Sequence, residues 1–331
     1  MSMSTNWPEI EQFEMPLPAE LRAPIVRLWE RTFETSYAPF EMVLAGSEND
    51  ANRNVVFLVR QEAAVVASCQ LTIARNGVLL GGVGEVAVDD AHRKQGLATR
   101  LCRQARDWFW GQRGEVVFLG TVNPAAARIY RRLGWNRLPG TTVMAATRVG
   151  AWPESFLVDH FRSGSGEVSL RPLDAAARLP IIPLVLVAHP WQVLDVNLGL
   201  SSIRFTRQDR CMSLYPLYQR LAELPGGQVM AAWTPDGRLV GLASACPRSP
   251  GVVRLDGFSH PQFLDSWDVL IRSLLRRCLQ QGATVCAVVS SEDEEKRARF
   301  AALGFVVDDA TEEITIAEDR LSAQRLAYRG E

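Results

Sequence analysis

The sequence predicts an α/β chain of two similarly built domains, each a mixed, mostly antiparallel sheet with a central parallel strand pair flanked by helices. Three observations support this. The 331 residues exceed the usual length of a single domain. The stretch Val83 to Trp135 alternates strand, helix, strand, helix. Leu303-Gly304-Phe305 follows Leu133-Gly134-Trp135 by 170 positions, after a similar order of elements, which implies a diverged internal duplication.

In the first half, Glu20 to Thr35 has the pattern of a helix. Asn54 to Arg60 and Ala63 to Ala74 read as antiparallel strands joined at Gln61-Glu62, and Gly77 to Val88 as the next strand. After Gly96, Leu97, Leu101, Ala105, Trp108 and Phe109 recur at helical spacing, with Gly111 and Gly114 at the exit. A strand from Glu115 to Leu119 then completes a parallel pair by crossover. Asn123 caps the following helix, Pro124 suits its first position, and Ala126, Ile129, Tyr130 and Leu133 form one apolar stripe before Gly134 ends it. Thr141 to Arg148 is a further strand.

Gly150 to Gly166 breaks the periodic pattern and ends in Ser163-Gly164-Ser165-Gly166, so a connector is placed there, between domains at 1–149 and 167–331. Beyond it, strands are expected at Val229 to Thr234, Arg238 to Ala245 and Val252 to Gly257. A helix carries Leu264, Trp267, Ile271, Leu274 and Cys278, and a strand from Thr284 to Val289 leads into a helix ending near Phe300.

Composition removes several classes of function. The 36 basic and 37 acidic residues leave no net field for nucleic acid or an anionic membrane. Cys69, Cys102, Cys211, Cys246, Cys278 and Cys286 lie mostly in apolar runs without a CxxC pair, which points to reduced buried thiols. Met1 to Asn6 lacks the features of an export signal. The apolar run Leu179 to His189 holds Pro180 and Pro183 and is too short to span a bilayer, so a cytoplasmic protein is expected. His160, His189 and His260 lack metal-ligand spacing, and no metal is assigned.

Arg93-Lys94-Gln95-Gly96-Leu97-Ala98 opens a helix after a strand. Free amides and the positive end of the helix dipole at such a turn suit a diphosphate, hence a nucleotide-like cofactor. Placed with the second motif Asn123 to Trp135, these residues resemble the GNAT superfamily of N-acetyltransferases, whose R/Q-x-x-G-x-G/A motif is matched by Arg93, Gly96 and Ala98. The resemblance covers about residues 10 to 148. Residues 168 to 317 follow it in order of elements only. There Phe300 stands opposite Tyr130 and Phe258-Ser259-His260-Pro261 replaces the glycine-bearing loop, so the second copy is expected to be degenerate and non-catalytic, either covering the acceptor pocket or making a homodimer contact.

The resemblance implies acetyl-CoA as co-substrate. Val86, Ala87 and Val88 would meet the pantetheine on a bulged strand, and Arg93, Lys94, Gln95, Gly96, Leu97, Ala98 and Thr99 would wrap the diphosphate. Asn123 and Ala126 would lie against the cofactor from the next helix, and Tyr130 would protonate the departing thiolate. Glu85 is the candidate base, directly or through water. Strict alternation puts it on the face of Val83 and Ala87, away from Val86 and Val88, unless a bulge changes the register. A core role for Tyr130 and an edge ion pair for Glu85 are the competing readings. Tyr37, Phe40, Glu41 and Met42 are candidates for the acceptor pocket. The expected activity is acetyl transfer to a primary amine, small-molecule or peptide. An acyl-CoA sensor and a protein acetyltransferase are the rivals.

Overall fold

The computed structural model describes residues 9–162, 167–316 and 319–330, so Ser163-Gly164-Ser165-Gly166 and Met1 to Asn6 lie outside the described residues. The chain divides into two compact units. The first runs to Arg137 and takes up Met144–Pro153; the second takes Leu138–Val143 and the described residues from Glu154 onward.

The first unit begins with strand β1 (Glu11–Glu14) and helix α1 (Ala19–Phe33), followed by the single turn α2 (Glu41–Leu44). In α1, Leu21, Ile25, Leu28 and Trp29 recur at helical spacing and are buried, each such burial contributing about 1.5–3 kcal/mol. Strands β2 (Asn52–Gln61) and β3 (Ala64–Ala74) pair antiparallel from Asn52↔Ala74 to Gln61↔Ala64, with Glu62 left-handed in the turn. Strand β4 (Leu80–Val88) lies beside β3, then come helix α3 (Leu97–Gly111), β5 (Val116–Gly120), α4 (Pro124–Arg132), β6 (Asn136–Arg137) and β7 (Val143–Thr147). Among the described residues these strands form one sheet in the order β1-β2-β3-β4-β5-β7-β6, with β4 and β5 running parallel at its centre. The α3 side of the core centres on Phe109, against which Gly81 and Gly114 lie so closely that a Cβ would come within 2.9 and 2.1 Å of its ring.

The interval expected to be a connector contains helix α5 (Pro153–Arg162). Proline at its start, Glu154 in its first turn, His160 and Arg162 in its last, and buried Leu157 and Phe161 account for this better than the flanking glycines suggested.

The second unit continues with β8 (Ser169–Pro172), α6 (Ile181–Leu186), the small pair β9 (Val193–Asp195) and β10 (Leu200–Ser201), α7 (Leu214–Glu223), β11 (Gln228–Trp233) and β12 (Leu239–Ser249). It ends with β13 (Val252–Ser259), α8 (Leu264–Gln280), β14 (Thr284–Ser290), α9 (Glu294–Ala302), β15 (Phe305–Ile316) and β16 (Asp319–Tyr328). Its sheet order is β8-β11-β12-β13-β14-β16-β15, the same permutation as in the first unit, again with a parallel central pair, β13–β14. Pro183 sits within α6, whose apolar residues are all buried. Among the described residues, no helix is long and apolar enough to cross a membrane.

Candidate active site

The site forms where β4 leaves both of its neighbours. Toward β5, pairing runs from Leu80↔Val116 through Gly82↔Phe118 and then stops. Toward β3, the register passes from Gln70↔Gly84 to Ser68↔Ala87, so Glu85 and Val86 together oppose Cys69. This is a bulge, with Glu85 in the left-handed region at φ 48°. Such a conformation costs about 1–3 kcal/mol for a non-glycine residue and must be held by its surroundings. The Ser68 hydroxyl donates to the Glu85 carbonyl (3.0 Å) and accepts the indole N–H of Trp29 (2.8 Å); Ser68 and Trp29 are fully buried. Trp29 and Ser68 were not among the candidates, since nothing local in the sequence links two residues 39 positions apart.

The bulge changes which side chains share a face. Glu85, Val86 and Val88 all line one cavity, whereas Ala87 is fully buried with Leu28 and Trp29 under α1. The alternation that set Glu85 with Ala87 therefore does not hold past Gly84.

Beyond β4, Asp89 caps the short turn Asp90–His92 by accepting from the Ala91 amide. Lys94 (φ 63°) and Gly96 (φ 80°) then turn the chain into α3. The first backbone hydrogen bond donated after this turn runs from Arg100 to the Gly96 carbonyl (3.1 Å), so the preceding amides face outward from the helix start. Arg93 braces the loop: its Nε donates to the Val88 carbonyl (3.3 Å), and its guanidinium pairs with Asp90 (2.6 Å). Gln95 points away from the cavity and donates to the Ala91 carbonyl (3.4 Å). Across the gap, Asn123 Oδ1 accepts from the amides of Ala125 (2.9 Å) and Ala126 (3.4 Å), which leaves its amide nitrogen as the group able to reach a ligand.

The cavity, about 730 Å³, brings together Glu85, Val86, Val88, Arg93, Lys94, Gly96, Leu97, Ala98, Thr99, Asn123, Ala126 and Tyr130. Of the sequence candidates for cofactor or catalysis, Ala87 and Gln95 are not on its wall. Thr32 and Phe33, from the end of α1, are on it without having been candidates. Tyr130 is 7% exposed, and burial holds its phenol well above the ordinary value, so it carries its proton at neutral pH. Burial, and then the charge of Glu85, also raise Tyr37, whose ring packs on Trp29 (5.2 Å), Phe33 (5.9 Å) and Phe40 (6.2 Å). Glu41 and Met42 are exposed and lie off the cavity.

Residues 22–135 match the model of the acetyltransferase (GNAT) family. The chain carries a GNAT acetyltransferase domain. Several solved structures are similar to it: an N-acetyltransferase from Staphylococcus aureus Mu50 (14% identity, 49% of this chain and 97% of that one, TM-score 0.39), a GNAT superfamily phosphinothricin acetyltransferase from Sinorhizobium meliloti in complex with AcCoA (16%, 48% and 86%, TM-score 0.38), and mutant forms of a spermidine/spermine N-acetyltransferase from Vibrio cholerae (15%, 49% and 93%, TM-score 0.36). No curated protein matches the chain.

In the second unit the central parallel strands part beside a segment of the same chain. Pairing of β13 with β14 stops at Leu255↔Ala287, and the next residue, Asp256, accepts from the Val196 amide (2.6 Å) and faces Lys296 Nζ (2.6 Å). Lys296, on α9, donates to the carbonyls of Val193 (2.9 Å) and Leu194 (3.1 Å), while Asp293 accepts from the amides of Gln192 (2.5 Å) and Val193 (3.0 Å). Asp195, Asp256 and Lys296 are all buried, and Val193 and Val196 pack on Val288. Burial, and then the Asp256 charge, push Asp195 upward.

Proposed function

We propose that the GNAT domain transfers acetyl from acetyl-CoA to a primary amine by direct attack with both substrates bound. The observation that carries this reading is the convergence on one cavity of an unpaired strand edge, a helix start with free amides, a protonated buried phenol and a carboxylate. The cavity fits a long, thin, phosphate-bearing molecule. A Cβ built on Gly84 meets nothing within 4 Å, so that stretch of wall is open, and the turn at Gly96 supplies backbone donors where an anion is favoured.

Acetyl-CoA would supply the acetyl group as an activated thioester. The edge of β4 at Val86 and Val88 would bind and orient the pantetheine arm through its main chain, and the turn from Arg93 to Thr99 would hold the diphosphate. Glu85 takes a proton from the bound ammonium, directly or through water, so that the neutral amine can attack the thioester carbonyl and form the carbon–nitrogen bond. Tyr130 gives its proton to the sulfur as the carbon–sulfur bond breaks. Burial keeps the phenol protonated at neutral pH, so its proton is present when the thiolate forms. Phe33 would line the amine's approach to Glu85, with Tyr37 packed behind it and within reach of the Glu85 charge.

We also infer that residues 167–331 are a diverged copy of the same fold without a coenzyme site. Its identical strand permutation supports this, as does the chain segment lying where coenzyme would bind. The test of function is release of free thiol from acetyl-CoA with a panel of aliphatic amines, aromatic amines and lysine peptides. Turnover with a small amine is the expected result; coenzyme binding with no release from any acceptor would contradict the enzyme and favour a sensor.

A further inference from the structure

The second unit holds a separate cavity of about 370 Å³, inside the usual size range for small-molecule sites. Leu138, Leu157, Leu186, Val187, Ala188 and Ile203 give it an apolar wall. Leu138 belongs to this unit because the segment that follows it is tied there: Thr142 N–H donates to the Gln208 carbonyl (2.9 Å) and Gln208 N–H to the Gly140 carbonyl (3.0 Å).

Two ionisable groups face this space, Glu154 from the first turn of α5 and His260 from the end of β13. The ring of His260 accepts the Gln262 amide at Nδ1 (3.2 Å), and burial, with His189 and His160 nearby, lowers it to about 4; it is neutral at pH 7. Among the described residues, neither lysine nor arginine lines the cavity. Glu154 therefore provides the wall's charge. Its Oε2 is shut off from solvent and has no hydrogen-bond partner. A carboxylate oxygen desolvated without a donor is costly, and a bound N–H would remove that cost.

We propose that this cavity binds a small apolar molecule bearing one primary ammonium group, with the ammonium on Glu154 and the hydrocarbon against Leu157, Leu186 and Ile203. The chemistry excludes carboxylates by charge and prefers an ammonium to an alcohol of equal length. The site is distinct from the acceptor position beside Glu85 and does not depend on acetyl transfer.

The test is calorimetric titration of the full-length Glu85→Gln chain, from which the other amine-attracting carboxylate has been removed, with n-hexylammonium, n-hexanol and n-hexanoate. The ammonium should bind roughly tenfold or more tighter than the alcohol, from a charge-assisted hydrogen bond, and the carboxylate should not bind. Adding Glu154→Gln should bring the ammonium down to the affinity of the alcohol. Ala188→Trp, at an exposed edge of the cavity, should weaken both while leaving Glu154 in place. Binding of hexylammonium that is lost already in Glu85→Gln, or that persists undiminished in the Glu154→Gln double variant, would overturn the proposal. So would equal binding of hexanoate.

Discussion

Past Gly82, strands β4 and β5 part around an open cavity of about 730 Å³; past Leu255, pairing of β13 and β14 ends beside Gln192–Val196 of the same chain. Both sheets have the same strand permutation, so both face the same difficulty: a parallel pair that separates exposes backbone groups that need partners. The GNAT domain leaves that edge open on its cavity. The second unit satisfies the space with an inserted segment and anchors it by burying a lysine and three aspartates, Asp195, Asp256 and Asp293. The strand arrangement alone therefore does not decide whether the gap stays open; whether the chain itself enters it does.

The contrast breaks most severely at Lys296. Lys296→Met leaves Asp256 without its cation and frees the carbonyls of Val193 and Leu194, and should cost the second unit about 3–5 kcal/mol in denaturant unfolding. Acetyl-CoA affinity of the GNAT domain should not change; a loss under 1 kcal/mol would mean that the lysine does not hold the segment. In the GNAT domain, Tyr130→Phe should lower kcat by about 100-fold or more while the KM for acetyl-CoA changes little. Equal turnover would return Tyr130 to a purely packing role. Ser68→Ala removes the donor to the bulged Glu85 carbonyl and should destabilise the GNAT domain by about 1–3 kcal/mol, with acetyl-CoA binding weakened alongside. Unchanged stability would show that the bulge does not rely on the Trp29–Ser68 relay.

The smallest effect is that of pH, and it falls mainly on the second unit. Burial lowers His160, His189 and His260, all in the second unit, from 6.5 to about 4. The unfolded chain takes up these protons below pH 6.5, whereas the folded one resists until about 4, so stability falls as pH drops through that window. Asp195 and Asp256, both raised by burial, work in the opposite direction and offset part of the loss. Three histidines against two carboxyls leave a net fall. Thermal unfolding followed from pH 7 to 4.5 should show the second unit losing stability, and a transition that rises on acidification would contradict the assignment.

The turn from Arg93 to Thr99 and the helix start at Asn123 were legible from sequence because their determinants are local. Gly96 must take a positive φ, Asn123 and Pro124 begin a helix together, and the flanking strands and helices are strongly periodic. Glu85 was legible as an anomaly in an apolar strand, but its final direction was not, because the bulge is set by Trp29 and Ser68 from elsewhere in the chain. The filled cleft was invisible for a different reason. Lys296 stands among Glu294, Glu295 and Arg297 and reads as part of a solvated helix face, since lysine is seldom buried, while Gln192–Val196 belongs to an insertion between β8 and β11 with no counterpart in the first half. The β15–β16 hairpin also escaped notice, its charged residues hiding the alternation.

The most direct measurement is to count acetyl-CoA bound to the full-length chain by calorimetry, in the natural sequence and in Gly96→Glu, where a side chain at φ 80° brings a negative charge to the proposed diphosphate turn. One molecule per chain, reduced to none in a variant that keeps its circular dichroism, is the expected result. Two molecules per chain, or one retained undiminished in Gly96→Glu, would contradict it.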